Sequence, residues 1–264
     1  MDVDRAEGVL LGLACGDALG RPLEFETPAR ILAQYGEVTG MLANGTWGKP
    51  AGTVTDDTDM ALCLARSLVD CGGFDPADVA ERFVAWYDSD PFDIGNMTAT
   101  ALARIRDGEP WDVAGQRVWE QSPEGSNAGN GSVMRVAPLA VAFTGDESRL
   151  VEASIVSSRI THADPRCTAG CAVLTCTLSG LLIDDPEPLS TALDRVDTPD
   201  ALDDALRPVS TGDVDPDALR STGYVVDTLQ TALWHGLHAD TAGAVVFSAY
   251  LWVRRSLRGR LGAY

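Results

Sequence analysis

Lysine is almost absent from this chain of 264 residues: Lys49 is the only one, and arginine supplies the other basic side chains. Acidic residues outnumber basic ones by 39 to 20, which gives a formal net charge of −19. This balance argues against nucleic acid or an anionic membrane as a partner, because both repel an acidic surface. It is what we expect of a halophile-like protein in concentrated salt, where screening weakens the repulsion between surface carboxylates.

Long apolar runs are also missing, and no segment reaches the roughly 20 residues that a membrane span needs. The first five residues, Met1-Asp2-Val3-Asp4-Arg5, are acidic and polar rather than the basic start of a secretory signal. The six cysteines fall mostly within Ala- and Leu-rich patterns of helical period, which predicts small buried thiols in a reducing compartment. We therefore expect a cytoplasmic protein.

Alternation of period two is scarce, whereas segments of helical period dominate, which predicts one all-α domain whose loops carry the polar clusters. Glycines at Gly8, Gly12, Gly16 and Gly20 share one face of the first helix and predict the close approach of another helix. The stretch 184–217 is rich in Asp and Pro and is interpreted as an exposed insertion with short helices. The expected helices cover residues 4–19, 28–35, 57–71, 76–88, 97–106, 111–121, 134–143, 147–160, 165–183 and 223–238.

The segment from Thr53 to Asp59 crowds three carboxylates and three hydroxyls into seven residues, at the point where a turn becomes a helix. One interpretation is an over-acidic helix start, since one such residue caps the helix and acids in the first turn suit its dipole. The other is a metal site. Adjacent carboxylates repel each other unless a cation separates them, and hard oxygen ligands suit Mg²⁺, Mn²⁺ or Ca²⁺.

Two further carboxylates stand in turn-rich loops. Glu24 follows the end of the first helix and has apolar neighbours, so it is either a surface residue or a carboxyl of raised pKa suited to proton transfer. Asp93 and Asn96 precede a helix, and either of them can cap it. A base of this type is also what a water held near a metal requires. We expect loops 44–59, 89–96 and 122–135 to converge on one cleft.

A glycine loop and a histidine complete the polar clusters. The loop from Gly129 to Arg135 opens a helix, where free backbone N–H groups can hold a phosphate, although such loops are often simple turns. His162 lies in Thr161-His162-Ala163-Asp164-Pro165, which has the pattern of a helix stop and restart. Its imidazole either contacts a ligand or bonds to the backbone.

Taken together and in this order, these segments resemble the ADP-ribosylglycohydrolase family. The resemblance covers about residues 5 to 240. It is carried by six short motifs that occur in the family's order. They are Gly16-Asp17-Ala18-Leu19-Gly20 with Glu24, Thr55-Asp56-Asp57-Thr58, Asp93-Ile94-Gly95-Asn96, Gly129-Asn130-Gly131-Ser132 with Met134-Arg135-Val136-Ala137-Pro138, Thr161-His162, and Gly223-Tyr224-Val225-Val226-Asp227-Thr228-Leu229.

The resemblance implies a single orthogonal helical domain around a cleft that holds two divalent cations, Mg²⁺ or Mn²⁺. It implies hydrolysis of the bond between C1 of the distal ribose of ADP-ribose and an acceptor, on an ADP-ribosylated protein or an ADP-ribose-containing small molecule. Carried over, Thr55, Asp56 and Asp57 are metal ligands, and Glu24 and Asp93 are the catalytic acids. The residues implied to hold the ADP-ribose are Asn96, Gly129, Asn130, Gly131, Ser132, Met134 and His162.

One departure from the family concerns the last residues. The family's second metal-ligand segment has the form Asp-x-Asp-Thr, whereas this chain has no Asp or Glu after Asp240. We therefore divide the chain into a family-like domain, 1–248, and an atypical tail, 249–264, that replaces this segment. Two functions follow: a metal-dependent ADP-ribosyl hydrolase, or a catalytically impaired ADP-ribose-binding or structural relative that holds one cation or none.

Overall fold

A computed structural model describes residues 3–36, 38 and 40–238, and this part of the chain is built from α-helices joined by turns. Its β structure is limited to two isolated bridges, Asn44 with Lys49 and Gly129 with Tyr224. The prediction of an all-α fold is confirmed. The helices are α1 Val3–Gly20, α2 Pro28–Tyr35, α3 Asp56–Cys71, α4 Pro76–Tyr87, α5 Asn96–Arg106, α6 Trp111–Gln121, α7 Pro138–Ala142, α8 Glu147–Arg159, α9 Pro165–Leu182, α10 Pro188–Arg195, α11 Asp200–Thr211 and α12 Val225–His238.

Local sequence signals set where these helices begin and end. The side chains of Thr55, Asp75 and Asp164 accept hydrogen bonds from backbone N–H groups in the first turns of α3, α4 and α9. These bonds satisfy donors that have no partner inside the helix. Helices α3 and α11 end at Gly72 and Gly212, both in the left-handed conformation that glycine adopts without strain.

Helix α9 forms the centre of the fold and packs against α7, α8, α10 and α12. Most of its residues are buried, and many are small, including Cys167, Gly170 and Ala172. Small side chains let neighbouring helices approach closely, and a Cβ at Gly170 would lie 2.6 Å from Leu229 Cδ1 of α12. The close packing of α9 against α12 therefore positions α12, and α12 in turn positions one wall of the site described below.

The short helices predicted at 184–217 are confirmed, but the prediction that this stretch is an exposed insertion is wrong. Helices α10 and α11 are strongly amphipathic: their acidic residues lie on the outer face and in the connections, whereas Pro188 at the start of α10 is buried. The overall composition of the stretch conceals this apolar stripe, which has helical period. The residues that it adds to the core are Leu189, Ala192, Leu193, Val196, Leu202, Leu206 and Val209.

Three narrower predictions also need correction. The expected helix 134–143 is broken by Pro138 into a 3₁₀ turn, Val133–Arg135, and the short α7. The glycine face of α1 serves close packing only in part: α1 contacts α3, α7 and α9 and Gly16 is buried, but among the described residues an added Cβ at Gly8 or Gly12 would meet nothing within 4 Å. Of the cysteines, all of which are free thiols, three in α9 are buried, but Cys71 is exposed.

None of the described helices combines the length and apolar character that crossing a bilayer requires.

Candidate functional site

The predicted polar loops meet at one cavity of about 500 Å³, as expected from the sequence. Its walls come from the end of α1, the starts of α3 and α5, the loop that precedes α7, and the segment around the start of α12. Pockets of this size are typical of small-molecule sites. The cavity therefore gathers residues that lie far apart in the sequence.

Besides Asp17, which is described below, four carboxyl groups line one wall of the cavity, those of Glu24, Asp56, Asp57 and Asp93. Burial raises the pKa of Glu24 to about 8 and that of Asp56 to about 7. Burial and the neighbouring negative charges also raise the pKa of Asp57 well above its usual value, and burial raises that of Asp93. The wall thus concentrates more negative charge than it can hold without protons or a cation.

Glu24 and Asp93 form a pair at this acidic wall. The indole Nε1 of Trp47 donates a 2.6 Å hydrogen bond to Glu24 Oε2, which fixes the carboxyl. A hydrogen bond between Glu24 and Asp93 adds to the rise in the pKa of Glu24 and reduces the rise that burial gives to the pKa of Asp93. Trp47 also packs edge-on against Phe25 and Phe92. The pair therefore resembles two carboxyls that share one proton, with Glu24 as its holder.

Capping does not account for the polar residues at the two helix starts. Helix α5 has Gly95 as its N-cap and no capping side chain, so neither Asp93 nor Asn96 serves that purpose. At α3 the cap is Thr55, which leaves Asp56 and Asp57 without a capping role. The carboxyls of Asp56, Asp57 and Asp93 therefore line the cavity and do not act as helix caps.

Asp17 of α1 anchors the start of α3, a role that the sequence analysis missed. Its carboxylate accepts hydrogen bonds from the backbone N–H and the hydroxyl of both Thr55 and Thr58. Asp17 also lines the cavity. Its position within the first family-like motif is the one sequence signal that marks it.

The opposite wall is the glycine loop, which is tied to the segment before α12. The N–H of Asn130 donates to Gly223 O at 3.0 Å, and the N–H of Val225 donates to Ala128 O at 3.0 Å. The guanidinium of Arg166 reaches both Asn127 Oδ1 and the Tyr224 hydroxyl. The Asn130 N–H is thus already used and cannot hold a phosphate, although the loop still lines the cavity.

His162 stands behind the glycine loop. A Cβ at Gly131 would lie 2.8 Å from His162 Cε1, so only glycine leaves room for the ring. The Nδ1 atom of His162 lies 2.8 Å from the hydroxyl of Thr161, which accepts a hydrogen bond from Arg135. Burial, aided by the charge of Arg135, lowers the pKa of His162 to about 3. The imidazole is therefore neutral. Arg135 belongs to a motif named above, but its buried bond to Thr161 was not predicted from the sequence.

All but two of the predicted site residues line the cavity. The exceptions are Thr55, whose hydroxyl donates to Asp17 Oδ1, and Ser132, whose hydroxyl accepts from Ser158 and Cys171 in the interior. The geometry therefore does not support a direct contact between Ser132 and a ligand. The predicted residues that line the cavity are Glu24, Asp56, Asp57, Asp93, Asn96, Gly129, Asn130, Gly131, Met134 and His162.

Among the residues that the structure describes, the acidic wall has the chemistry of a divalent-cation site without a preformed ligand set. Within the described residues, no three His, Cys, Asp or Glu side chains are already arranged around one point. The donor set nevertheless suits Mg²⁺ or Mn²⁺, because it consists of hard carboxylate oxygens, whose pKa values are raised first by burial and then by neighbouring negative charge. Residues 249–264, interpreted above as an atypical tail, lie outside the described part of the chain.

Comparison with known proteins agrees with this geometry. A family model for ADP-ribosylglycohydrolase matches residues 2–252. ADP-ribosylarginine hydrolase Tri1 of Pseudomonas putida (strain GB-1) is 37% identical over 239 residues, which are 88% of this chain and 61% of that protein. ADP-ribosyl-[dinitrogen reductase] glycohydrolase of Rhodospirillum rubrum is 38% identical over 172 residues, which are 65% of this chain and 55% of that protein.

A solved structure gives the same result at the level of the fold. An ADP-ribosylglycohydrolase-related protein complex contains a chain that superposes with a TM-score of 0.73 and 30% identity, over 94% of this chain and 84% of that one. The present chain spans about three fifths of the length of the curated relatives that it matches. From the extent of the family match and the shared fold, the chain belongs to the ADP-ribosylglycohydrolase family.

Proposed function

We propose that this protein is a hydrolase that removes ADP-ribose from a modified protein or another ADP-ribosyl acceptor, with Mg²⁺ or Mn²⁺ at the acidic wall. The observation that carries the proposal is the pairing, within one cavity, of four crowded carboxyls with a wall formed by the glycine loop and His162. The names of the relatives support ADP-ribose as the group removed.

In this proposal Glu24 and Asp93 move the protons of the reaction. Hydrolysis adds water at C1 of the ribose and breaks the bond to the acceptor, so one proton must leave the water and one must reach the leaving atom. Burial raises the pKa of Asp93, while its bond to Glu24 limits that rise, and Asp93 takes the proton from the water. Glu24, with a pKa of about 8, holds a proton at neutral pH and gives it to the leaving atom.

Asp56 and Asp57 would hold the cation, with Thr55 beside them at the start of α3. A bound divalent cation supplies charge compensation to these carboxylates and polarises ribose hydroxyls and water. Asp17 positions the set by fixing the backbone of Thr55 and Thr58. The residues of the opposite wall, Gly129 to Gly131 with Met134, would hold the nucleotide part of the substrate.

The test is release of ADP-ribose, in the presence of Mg²⁺ or Mn²⁺, from proteins ADP-ribosylated on arginine and on serine. Asp56→Asn and Asp57→Asn should lower the rate at least a hundredfold, the order of loss expected when a metal-held site is emptied. Asp59→Asn is the matched control. It makes the same change in the same helical turn, but its carboxylate accepts from Trp86 Nε1 and lines a separate groove.

The outcomes separate the two functions given by the sequence analysis. Binding of ADP-ribose without release from either substrate would favour the catalytically impaired relative. Failure to bind ADP-ribose at all, or equal losses in Asp59→Asn and Asp56→Asn, would contradict the proposed site.

A further inference from the structure

Arg135 is a buried cation with no acidic partner among the described residues. Its side chain is fully buried, with the guanidinium 4.5 Å from the ring of Phe83. One nitrogen donates to Thr161 Oγ1 at 2.8 Å and to Ser157 O at 3.4 Å. An unpaired charge in the interior is costly, so a folded protein that keeps one needs it for some purpose.

The hydroxyl of Thr161 links this charge to His162. A guanidinium donates hydrogen bonds and cannot accept them, so the Thr161 oxygen must be the acceptor from Arg135. Thr161 is itself fully buried, and the acceptor within reach of its own proton is Nδ1 of His162, at 2.8 Å. The direction of the chain is therefore fixed: Arg135 donates to Thr161, and Thr161 donates to His162.

This direction determines which nitrogen of the neutral imidazole carries the proton. Since Nδ1 accepts from Thr161, the ring proton is on Nε2. The Nε2 edge faces the glycine loop, where a Cβ at Gly131 would lie 3.1 Å from it and one at Gly129 would lie 3.5 Å from it. Among the described residues the hydrogen bond of the His162 ring is the one at Nδ1, no protein atom accepts from Nε2, and His162 lines the cavity.

We propose that Arg135 and Thr161 are positioning residues that hold His162 in the Nε2–H tautomer, so that the cavity offers a neutral donor to an acceptor oxygen of the ligand. A neutral donor binds the oxygen of a diphosphate or a ribose at any pH near 7. The identity of the ligand as ADP-ribose rests on the proposed function, whereas the tautomer is a property of the chain alone.

The first measurement needs no ligand, and it reads the tautomer on the unaltered protein. Nitrogen-15 NMR of the imidazole rings distinguishes the two tautomers and the charged form. The chain has only three histidines, so His162→Gln assigns the signal of His162 by its loss. We expect a protonated Nε2 and an unprotonated Nδ1 at pH 7. A proton on Nδ1, or an imidazolium, would overturn the proposal.

The second measurement follows the chain from Thr161 to the ligand. Thr161→Val removes the hydroxyl at constant shape, and should give a mixture of tautomers and weaken ADP-ribose binding about tenfold, the worth of one hydrogen bond. Thr161→Ser should restore both readouts. Thr177→Val is the matched control, because its buried hydroxyl donates only to Val173 O of its own helix.

The results decide the two proposals separately. A Thr161→Val protein that keeps a pure Nε2–H tautomer would show that Thr161 does not set it, and would reject the positioning role. If ADP-ribose fails to bind the unaltered protein, the proposed function fails, and the NMR spectrum still decides the tautomer.

Discussion

Asp17 accepts two hydrogen bonds from Thr55, one from the backbone nitrogen and one from the hydroxyl, each of 2.8 Å. The same carboxylate repeats this arrangement with Thr58, one turn further into α3. Four donors on one carboxylate tie the end of α1 to the start of α3. The position of Asp56 and Asp57 therefore depends on a residue about 40 places earlier in the chain.

We expect Asp17→Ala to lower the free energy of unfolding by about 2 kcal/mol, because it leaves backbone and hydroxyl donors at the start of α3 without a partner. The matched comparison is Asp75→Ala, which removes the exposed N-cap of α4 and should cost about 1 kcal/mol. Urea unfolding of the two variants measures the difference. Equal losses would mean that Asp17 is an ordinary cap.

Glu24→Gln should stabilise the cation-free protein while it impairs the reaction. The pKa of Glu24 is raised from 4.5 to about 8 on folding, so between these values the folded state keeps a proton that the unfolded state has lost. The free energy of unfolding therefore falls as the pH rises from 4.5 to 8, because burial of the Glu24 charge then opposes folding. Glutamine carries no charge and abolishes this fall. Thermal melts at pH 8 in chelator should give a higher Tm for Glu24→Gln. The exposed Glu152→Gln should leave the Tm unchanged.

His162 has the opposite effect on the acid side. Folding lowers the pKa of His162 from 6.5 to about 3. Between these pH values the imidazole is protonated in the unfolded state but not in the folded state. Stability from this group is complete above pH 6.5 and falls on acidification, by up to about 1.4 kcal/mol per pH unit. Urea unfolding between pH 6.5 and 4.5 should show a shallower loss in His162→Gln. The exposed His238→Gln serves as the control, and an unchanged slope in His162→Gln would refute the prediction.

The net charge of −19 predicts a fold that needs salt. Surface carboxylates repel over a Debye length of about 10 Å at 0.1 M salt and over longer distances below it. The Tm should therefore rise with KCl from low to molar concentration. A Tm that does not respond to KCl would reject the interpretation of the composition as halophile-like.

The sequence predicts the parts of this protein that depend on neighbours in the chain. The acidic start of α3 is visible because Asp56 and Asp57 are adjacent, and most helices follow from local period and capping. Arg135 could not be assigned a role in advance. Its contacts with Met60, Phe83 and Thr161 exist only once distant segments have packed.

Side-chain direction is the second limit of the sequence. Ser132 belongs to the same short loop as Gly131, yet its hydroxyl bonds to Ser158 in the interior. A loop of irregular backbone has no period from which one could deduce which residues face outwards. Helices α10 and α11 show a related limit, because the composition of their connections obscured the apolar stripe that they bury.

The bridge between Gly129 and Tyr224 also bears on the order in which the protein folds. It closes a loop of about a hundred residues. Closing such a loop lowers the conformational entropy of the chain before the contact contributes any stabilising free energy. The wall formed by the glycine loop and the segment before α12 should therefore form late, after α9 has packed against its neighbouring helices. A ligand seated across this bridge would bind only the completed chain, and by mass action it would stabilise the entire fold rather than the loop that it touches.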